Sequence, residues 1–293
     1  MNMKYYDLVT IQIVLYEEKK DLVFNCLKGL KNFKINILDN SNNLKLKNEI
    51  NKNYQVDNYL LEKKNIGFSN GHNKLAQFVK TKYLFILNAD CIMEEKNILK
   101  LLDCFEIYKN VGIASPTTFD YNMKNITYNG GLLPEYGKKN ITTEISGDTC
   151  FQSVLGSAMM IKKKDFDEVG MFNKNLFLFF SDDDLCRKFR SRKKLIIQIK
   201  NSTASHIHGQ SKVKNLIKKI FLREYHMTYD ELYYYYITNN HLLIFSKLKK
   251  KFSKYLFKII LNFCILNFKK MLLYLARVLA FIKFYSLNEK KWD

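Results

Sequence analysis

Between residues 8 and 114, short apolar runs alternate with segments of helical spacing, and few folds accept that alternation. Residues 8–16 alternate apolar and polar side chains and are rich in β-branched types, the pattern of a first strand. Residues 17–30 place Leu22, Val23, Cys26, Leu27 and Leu30 at helical spacing. A second strand over 34–38 ends in the polar run Asp39-Asn40-Ser41-Asn42, and a third spans 54–61. After it comes Asn65-Ile66-Gly67-Phe68-Ser69-Asn70-Gly71, where Ser69 or Asn70 can cap a helix through Leu75, Phe78 and Val79. Residues 83–87 are an unbroken apolar run, too short for a helix and closed by Asn88. They read as a strand buried on both faces. A helix over 97–107 and a short strand over 111–114 complete the order. It predicts an α/β fold: a Rossmann-like, mostly parallel central sheet with helices on both faces.

Ligands of such sheets bind beyond the carboxyl ends of the strands. Asp90 stands there, two residues after Asn88. A carboxylate in that place suits a hard divalent cation whose other positions are filled by water and substrate phosphates. It can equally cap the helix that follows.

Beyond residue 116 the composition changes. Gly130-Gly131, Pro134, Gly137 and many Asn and Thr residues predict irregular structure and hairpins over 116–149. An apolar strand around Gly156 is expected over 151–161, then a brief helix over 165–169. The apolar residues 177–180 run into Ser181-Asp182-Asp183-Asp184-Leu185-Cys186, the start of a helix. Ser181 with Asp184 has the spacing of a capping box, so Asp183 and Asp184 read as helix-start stabilisers. A strand over 195–199 leads to Ser205-His206-Ile207-His208-Gly209-Gln210-Ser211. His72, His208, His226 and His241 read as structural or surface residues, and Met159 and Met160 as core.

The 293 residues are 47% hydrophobic, enough for one large α/β domain with an appendage or for two small domains, and 2 Pro and 11 Gly leave little room for long linkers. Charge divides the chain. Through Lys212 there are 32 basic and 23 acidic residues, and from Val213 there are 16 and 5, which splits the net +20 into +9 and +11. Two segments follow: 1–212 as the sheet domain, and 213–293 as a basic, aromatic-rich helical segment. Such a tail suits an anionic partner, membrane or nucleic acid. A basic nucleic-acid-binding protein is therefore one alternative, opposed by only 5 Arg and the lack of any nucleic-acid motif. The longest uncharged stretch near the end, 259–268, is far short of the ~20 residues a spanning helix needs. Lysines interleaved with Phe and Leu instead predict peripheral contact with a membrane through 247–285. A basic helical hairpin packed on the rest of the chain has the same pattern. The 6 Cys residues show neither a Cys-x-x-Cys pair nor zinc spacing and read as buried small residues of a reducing compartment. The first apolar run is interrupted by Asp7 and alternates like a strand, which argues against a signal peptide and for a cytoplasmic protein.

Taken in order, the polar blocks resemble family 2 glycosyltransferases, in particular their rhamnosyltransferase-like branch. The blocks are Asp39-Asn40-Ser41, Asn65-Ile66-Gly67-Phe68-Ser69-Asn70-Gly71-His72-Asn73 and Leu87-Asn88-Ala89-Asp90. Gly156-Ser157-Ala158-Met159, Gly170-Met171-Phe172-Asn173, Phe179-Phe180-Ser181-Asp182-Asp183-Asp184-Leu185-Cys186 and His206-Ile207-His208-Gly209-Gln210-Ser211 follow. The resemblance covers about residues 8–211. It departs at Ser181, where the family has Glu, and at Ala89, where it has Pro. Later, Tyr236-Ile237-Thr238-Asn239-Asn240 lacks the family's Arg.

The resemblance implies a GT-A fold, a nucleotide-sugar donor (dTDP-rhamnose or a UDP-hexose) and Mg2+ or Mn2+. It implies that Asp39 and Asn40 meet the nucleotide, with Asn65, Gly67, Asn88 and Gly156 lining the donor pocket. Asp90 and His206 would lie at the metal and diphosphate, and Asp182 would be the catalytic base. The acceptor would be a hydroxyl of a cell-surface or lipid-linked glycan, reached at the inner face of the cell membrane, with no role for nucleic acid. The Ser181 departure leaves a catalytically inactive sugar-binding homologue as a further alternative.

Overall fold

A computed structural model describes residues 3–120, 126–127, 145–207, 215–238 and 241–288. The irregular region expected around Gly130, Gly131, Pro134 and Gly137 lies largely outside the described residues, as do His208, Gly209, Gln210, Ser211, Asn239 and Asn240. The chain divides into two compact units, Met1–Asn173 with Ser181–Lys212, and Lys174–Phe180 with Val213–Asp293.

In the first unit a 3-10 turn (Met3–Leu8) leads into β1 (Val9–Leu15), α1 (Lys20–Lys28), β2 (Lys34–Asp39), α2 (Leu44–Asn53), β3 (Asn58–Leu61), α3 (Gly67–Ala76) and β4 (Tyr83–Leu87). After these come β5 (Cys91–Ile92), α4 (Glu95–Ile107), β6 (Val111–Phe119), β7 (Ile126–Thr127), β8 (Thr149–Cys150) and β9 (Ala158–Lys162). The unit closes with α5 (Lys163–Glu168), α6 (Ser181–Ser191) and β10 (Leu195–His206). One sheet runs β3-β2-β1-β4-β9-β6-β10-β5, with β7 on β6 and β8 on β10. β3, β2, β1 and β4 are parallel neighbours, and so are β6 and β10. β9 runs antiparallel between β4 and β6, so those two share a direction.

The unbroken apolar run of β4 reflects burial on both faces. Tyr83, Phe85 and Leu87 join Ile11, Ile13, Leu27, Ile98 and Leu101 in one core. Leu84 and Ile86 join Ala76, Met159, Phe166, Leu185 and Phe189 in the other. Burying each such large side chain is worth roughly 1.5–3 kcal/mol. Met159 and Met160 are core residues, as their sequence context implied.

Several boundaries differ from the sequence expectation. β3 is shorter because Tyr54 ends α2, its N–H bonding Ile50 O at 2.8 Å. The strand expected from 151 begins at Ala158, and the one expected to stop at 199 continues to His206. Of the six thiols, Cys150 and Cys264 are exposed rather than buried.

The second unit is helical: α7 (Leu216–Ile220), a π-helical turn (Phe221–Tyr225), α8 (His226–Ile237), α9 (His241–Cys264) and α10 (Phe268–Asn288). Asp230 on α8 is fully buried. Its carboxylate accepts the N–H groups of Phe177 (3.2 Å), Leu178 (2.9 Å) and Phe179 (2.9 Å), tying 174–180 to this unit. Phe177 stacks on His226 at 3.8 Å, and Arg277 donates to Glu224 at 2.6 Å.

Burial pushes the Asp230 carboxyl up to about 6 against the pull of those three N–H donors. A folded-state value above the unfolded one (~3.9) means that folding favours the protonated form. Its stabilising contribution is complete below the unfolded value and is lost as pH rises through about 6. Asp230→Asn keeps an acceptor and should flatten that part of the stability profile. Asp230→Ala leaves the N–H groups without it, should cost about 1–3 kcal/mol at low pH, and flattens the profile as well. Thermal unfolding from pH 4 to 8 reads both effects. An Asn variant with the native pH dependence would contradict this role.

Candidate active site

The first cluster forms where β2 and β3 end. Asn40 accepts the N–H of Ile66 at 3.1 Å and donates to Gly67 O at 3.3 Å. Asn65 accepts the Gly67 N–H at 2.9 Å across the same turn. Gly67 opens α3 at φ +85°, a conformation in which a Cβ would be strained. Asn40, Asn65 and Gly67 are thus one built structure. Asp39 lies beside it but points inward: it is fully buried, with Oδ1 accepting the Ser41 N–H (2.7 Å) and the Ser41 hydroxyl, and Tyr59 OH 3.5 Å from Oδ2.

The second cluster follows β4. Asn88 is anchored through its backbone, N–H to Ser157 O at 2.9 Å and O from Cys91 N–H at 3.0 Å. β5 then pairs antiparallel with the end of β10, setting Cys91 opposite His206. The Ile207 N–H bonds Asp90 O at 2.9 Å, and His206 Nε2 reaches Asp90 Oδ1 at 3.1 Å. Two residues 116 positions apart therefore share one hydrogen bond at the sheet edge.

No group of three or more His, Cys, Asp or Glu side chains able to hold a metal occurs among the described residues. What the edge offers is one carboxylate and one imidazole. That donor set fits a divalent ion completed by water and substrate phosphates rather than one caged by protein.

The third cluster joins α6 to the segment before β9. Asp182 Oδ2 accepts the Gly156 N–H at 2.9 Å, and Oδ1 accepts the Asp183 N–H at 3.1 Å. A Cβ at Gly156 would lie 3.3 Å from the Asp182 Cβ and 3.4 Å from Phe68, so this glycine admits the carboxylate. Burial raises the Asp182 carboxyl above the ordinary aspartate range, opposed by those backbone donors. Its neighbours are committed elsewhere. Asp183 is buried and accepts the Ser153 hydroxyl at 2.7 Å. Asp184 is fully buried and pairs with Arg187 at 2.7 Å and Lys188 at 3.4 Å. The Ser181 hydroxyl bonds Ser69 on α3 at 2.7 Å, and the Asp184 carboxylate serves Arg187 and Lys188, so the two are not engaged as the expected capping box.

Sequence reasoning missed Glu18. It lies between β1 and α1 with Oε2 buried and without a hydrogen-bond partner. Burial, reinforced by the charges of Asp90 and Asp39, pushes its carboxyl up to about 7. A cavity of about 230 Å³ opens there, lined by Glu18, Lys20, Asn43, Lys45, Leu46 and Glu49. The signal was the acidic pair Glu17-Glu18 at a strand end, the criterion that selected Asp90. His72 is buried beside Gln12 (Nδ1 to Oε1, 3.3 Å), and burial lowers it to about 3, a structural residue as expected.

Parallel β1, β2 and β4 with carboxylates gathered at their carboxyl edge define the class, a GT-A glycosyltransferase fold. Solved structures agree. The crystal structure of GalNAc-T7 with UDP, GalNAc and Mn2+ matches at TM-score 0.56 and 15% identity, over 77% of this chain and 50% of that one. The mannosyltransferase PcManGT from Pyrobaculum calidifontis, in complex with GDP-Man and Mn2+, matches at TM-score 0.53 and 12% identity, over 78% of this chain and 64% of that one. This chain thus spans half to two thirds of those molecules. The model of glycosyl transferase family 2 matches residues 10–170, and the chain belongs to that family. Rhamnosyltransferase WbbL of Escherichia coli (strain K12) is 25% identical over 198 residues, 59% of this chain and 74% of that protein.

Proposed function

We propose that the chain is an inverting, metal-dependent glycosyltransferase. It would move rhamnose from dTDP-rhamnose, or a hexose from a UDP-sugar, to a hydroxyl of a cell-surface or lipid-linked glycan. The observation that carries the reading is the Asp90–His206 contact of 3.1 Å, made at the sheet edge by the β5–β10 pairing.

The division of work follows the three clusters. Asn40, Asn65 and Gly67 hold the nucleotide, with Asp39 bonded to Ser41 at the same strand end. Asn88 and Gly156 line the donor beside it. Mg2+ or Mn2+ bound by Asp90 and His206 would neutralise charge on the departing diphosphate. Asp182 accepts the acceptor's proton while that oxygen bonds to the anomeric carbon. The bond from that carbon to the diphosphate breaks, and its electron pair leaves with the nucleoside diphosphate. A single displacement with one base inverts the anomeric centre. The similarity to rhamnosyltransferase WbbL supports rhamnose rather than a hexose as the transferred sugar. The catalytic segment is 1–212, and 213–293 provides peripheral membrane contact through 247–285 at the cytoplasmic face, where a lipid-linked acceptor is presented.

Isothermal titration with dTDP, UDP and GDP, with and without Mn2+, tests the donor site. Binding of dTDP or UDP that tightens at least ~10-fold with Mn2+ is expected. Metal-independent binding of all three would contradict it.

A further inference from the structure

The two long C-terminal helices end in an apolar tip. α9 and α10 meet at a bend built by backbone bonds, Leu266 N–H to Phe263 O (3.0 Å) and Asn267 N–H to Asn262 O (2.8 Å). Asn267 Oδ1 accepts the Lys270 N–H at 3.2 Å at the start of α10. Away from the bend one face of α10 is packed: Ala276, Ala280, Phe281 and Phe284 are at most 1% exposed, and Tyr255 meets Tyr274 at a tilt and Phe281 edge to face. At the bend the pattern reverses. Phe257, Ile260, Phe263, Ile265, Leu266 and Phe268 are each 52–71% exposed.

That concentration of exposed large side chains is far from the scattered singles of an ordinary surface. The charge around it has one sign. Lys254, Lys258, Lys269 and Lys270 flank the bend, and no Asp or Glu occurs between Glu231 and Glu289. Among the described residues no helix is long and apolar enough to cross a membrane. The last two and a half turns of α9 rise roughly 13 Å, comparable with the ~5–10 Å to which interfacial helices enter a bilayer.

We propose that the α9–α10 bend is a monotopic insertion tip: the apolar side chains of 256–268 enter one leaflet of an anionic bilayer while Lys254, Lys258, Lys269 and Lys270 hold its headgroups. The inference rests on the membrane contact proposed above and deepens it. It assigns affinity to six apolar side chains at one bend rather than to basic charge spread over 247–285. Apolar burial and headgroup attraction add in such contacts, and only the second is screened by salt.

The test uses the full chain and vesicles of phosphatidylcholine with phosphatidylglycerol. Phe257→Ser combined with Phe263→Ser and Ile265→Ser changes exposed positions only and should lower vesicle partitioning by at least ~100-fold. Circular dichroism should stay native. Lys254→Gln with Lys269→Gln and Lys270→Gln should lower it less, and the residue of binding should resist salt. Phe263→Trp should shift to the blue on vesicles and be quenched by brominated lipid tails. A triple Ser variant that binds like the native chain, with the Gln variant unbound, overturns the tip and leaves surface contact standing. A native chain that ignores all vesicles overturns both. A native dimer that the Ser changes split, with no vesicle binding, assigns the face to a second copy and likewise overturns the proposal.

Discussion

Asp182→Asn is expected to lower sugar transfer by ~10²–10⁴-fold, the usual worth of a positioned general base. Donor affinity should stay within about twofold, because the base acts on the acceptor. The three consecutive carboxylates of α6 separate cleanly in this respect. Asp183 is engaged by the Ser153 hydroxyl and Asp184 by Arg187 and Lys188, whereas among the described residues Asp182 accepts from the backbone N–H groups of Gly156 and Asp183. Asp183→Asn keeps a hydrogen-bond acceptor and should be mild. Asp184→Asn should cost about 1.5–3 kcal/mol of stability, with little change in rate per folded molecule. The pH profile adds a second reading. A general base at Asp182 works in its ionised form, so activity should fall as pH drops through its folded-state value. Burial places that limb above the ordinary aspartate range. The limb should vanish from the residual activity of the Asn variant. An Asp182→Asn enzyme of near-native rate, beside a folded but inactive Asp184→Asn, would move the base half a helical turn.

Asp90→Asn is expected to remove metal-stimulated turnover, a loss of about 10²–10³-fold by analogy with the loss of other groups that stabilise transition-state charge. The fold should survive, since Asn can still take the His206 contact and the backbone bond from Ile207 is unaffected. Nucleoside diphosphate binding without metal should be unchanged, while the gain brought by Mn2+ disappears. His206→Ala should show the same pattern more weakly, as the loss of one of two ligands. Metal dependence unchanged in folded Asp90→Asn would place the diphosphate elsewhere on the edge.

The parts of this site that were legible in the sequence share a physical cause. β4 announced itself because both of its faces are buried, which forces an apolar side chain at every position from Tyr83 to Leu87. Asp90 followed from its place after that strand. The Asn65–Gly67 turn was legible as a polar block after a strand, and Gly67 carries the positive φ that favours glycine there. Other features depend on pairings that local pattern does not encode. β10 runs on through the polar residues 200–206, whose burial alternates because β6 and β5 pair with it there. Without that extension, His206 would have no reason to meet Asp90. The antiparallel β9 is as apolar as a parallel strand would be, and only its neighbours set its direction. Ser181 and Asp184 had capping-box spacing, yet Ser69 offered the hydroxyl a buried partner 112 residues away. Glu18 was hidden by its helix-compatible surroundings, and its burial appears only once β1, β2 and β4 lie side by side.

The central claim is that one sheet edge takes a nucleotide sugar and a metal and transfers the sugar. A panel of dTDP-rhamnose, UDP-glucose, UDP-galactose, UDP-N-acetylglucosamine and GDP-mannose, assayed for release of nucleoside diphosphate with Mn2+ and with chelator, tests it most directly. The account predicts release from dTDP-rhamnose or a UDP-hexose that chelator abolishes and Asp90→Asn eliminates. Release from none of them by folded protein, or release that persists in chelator, would contradict it.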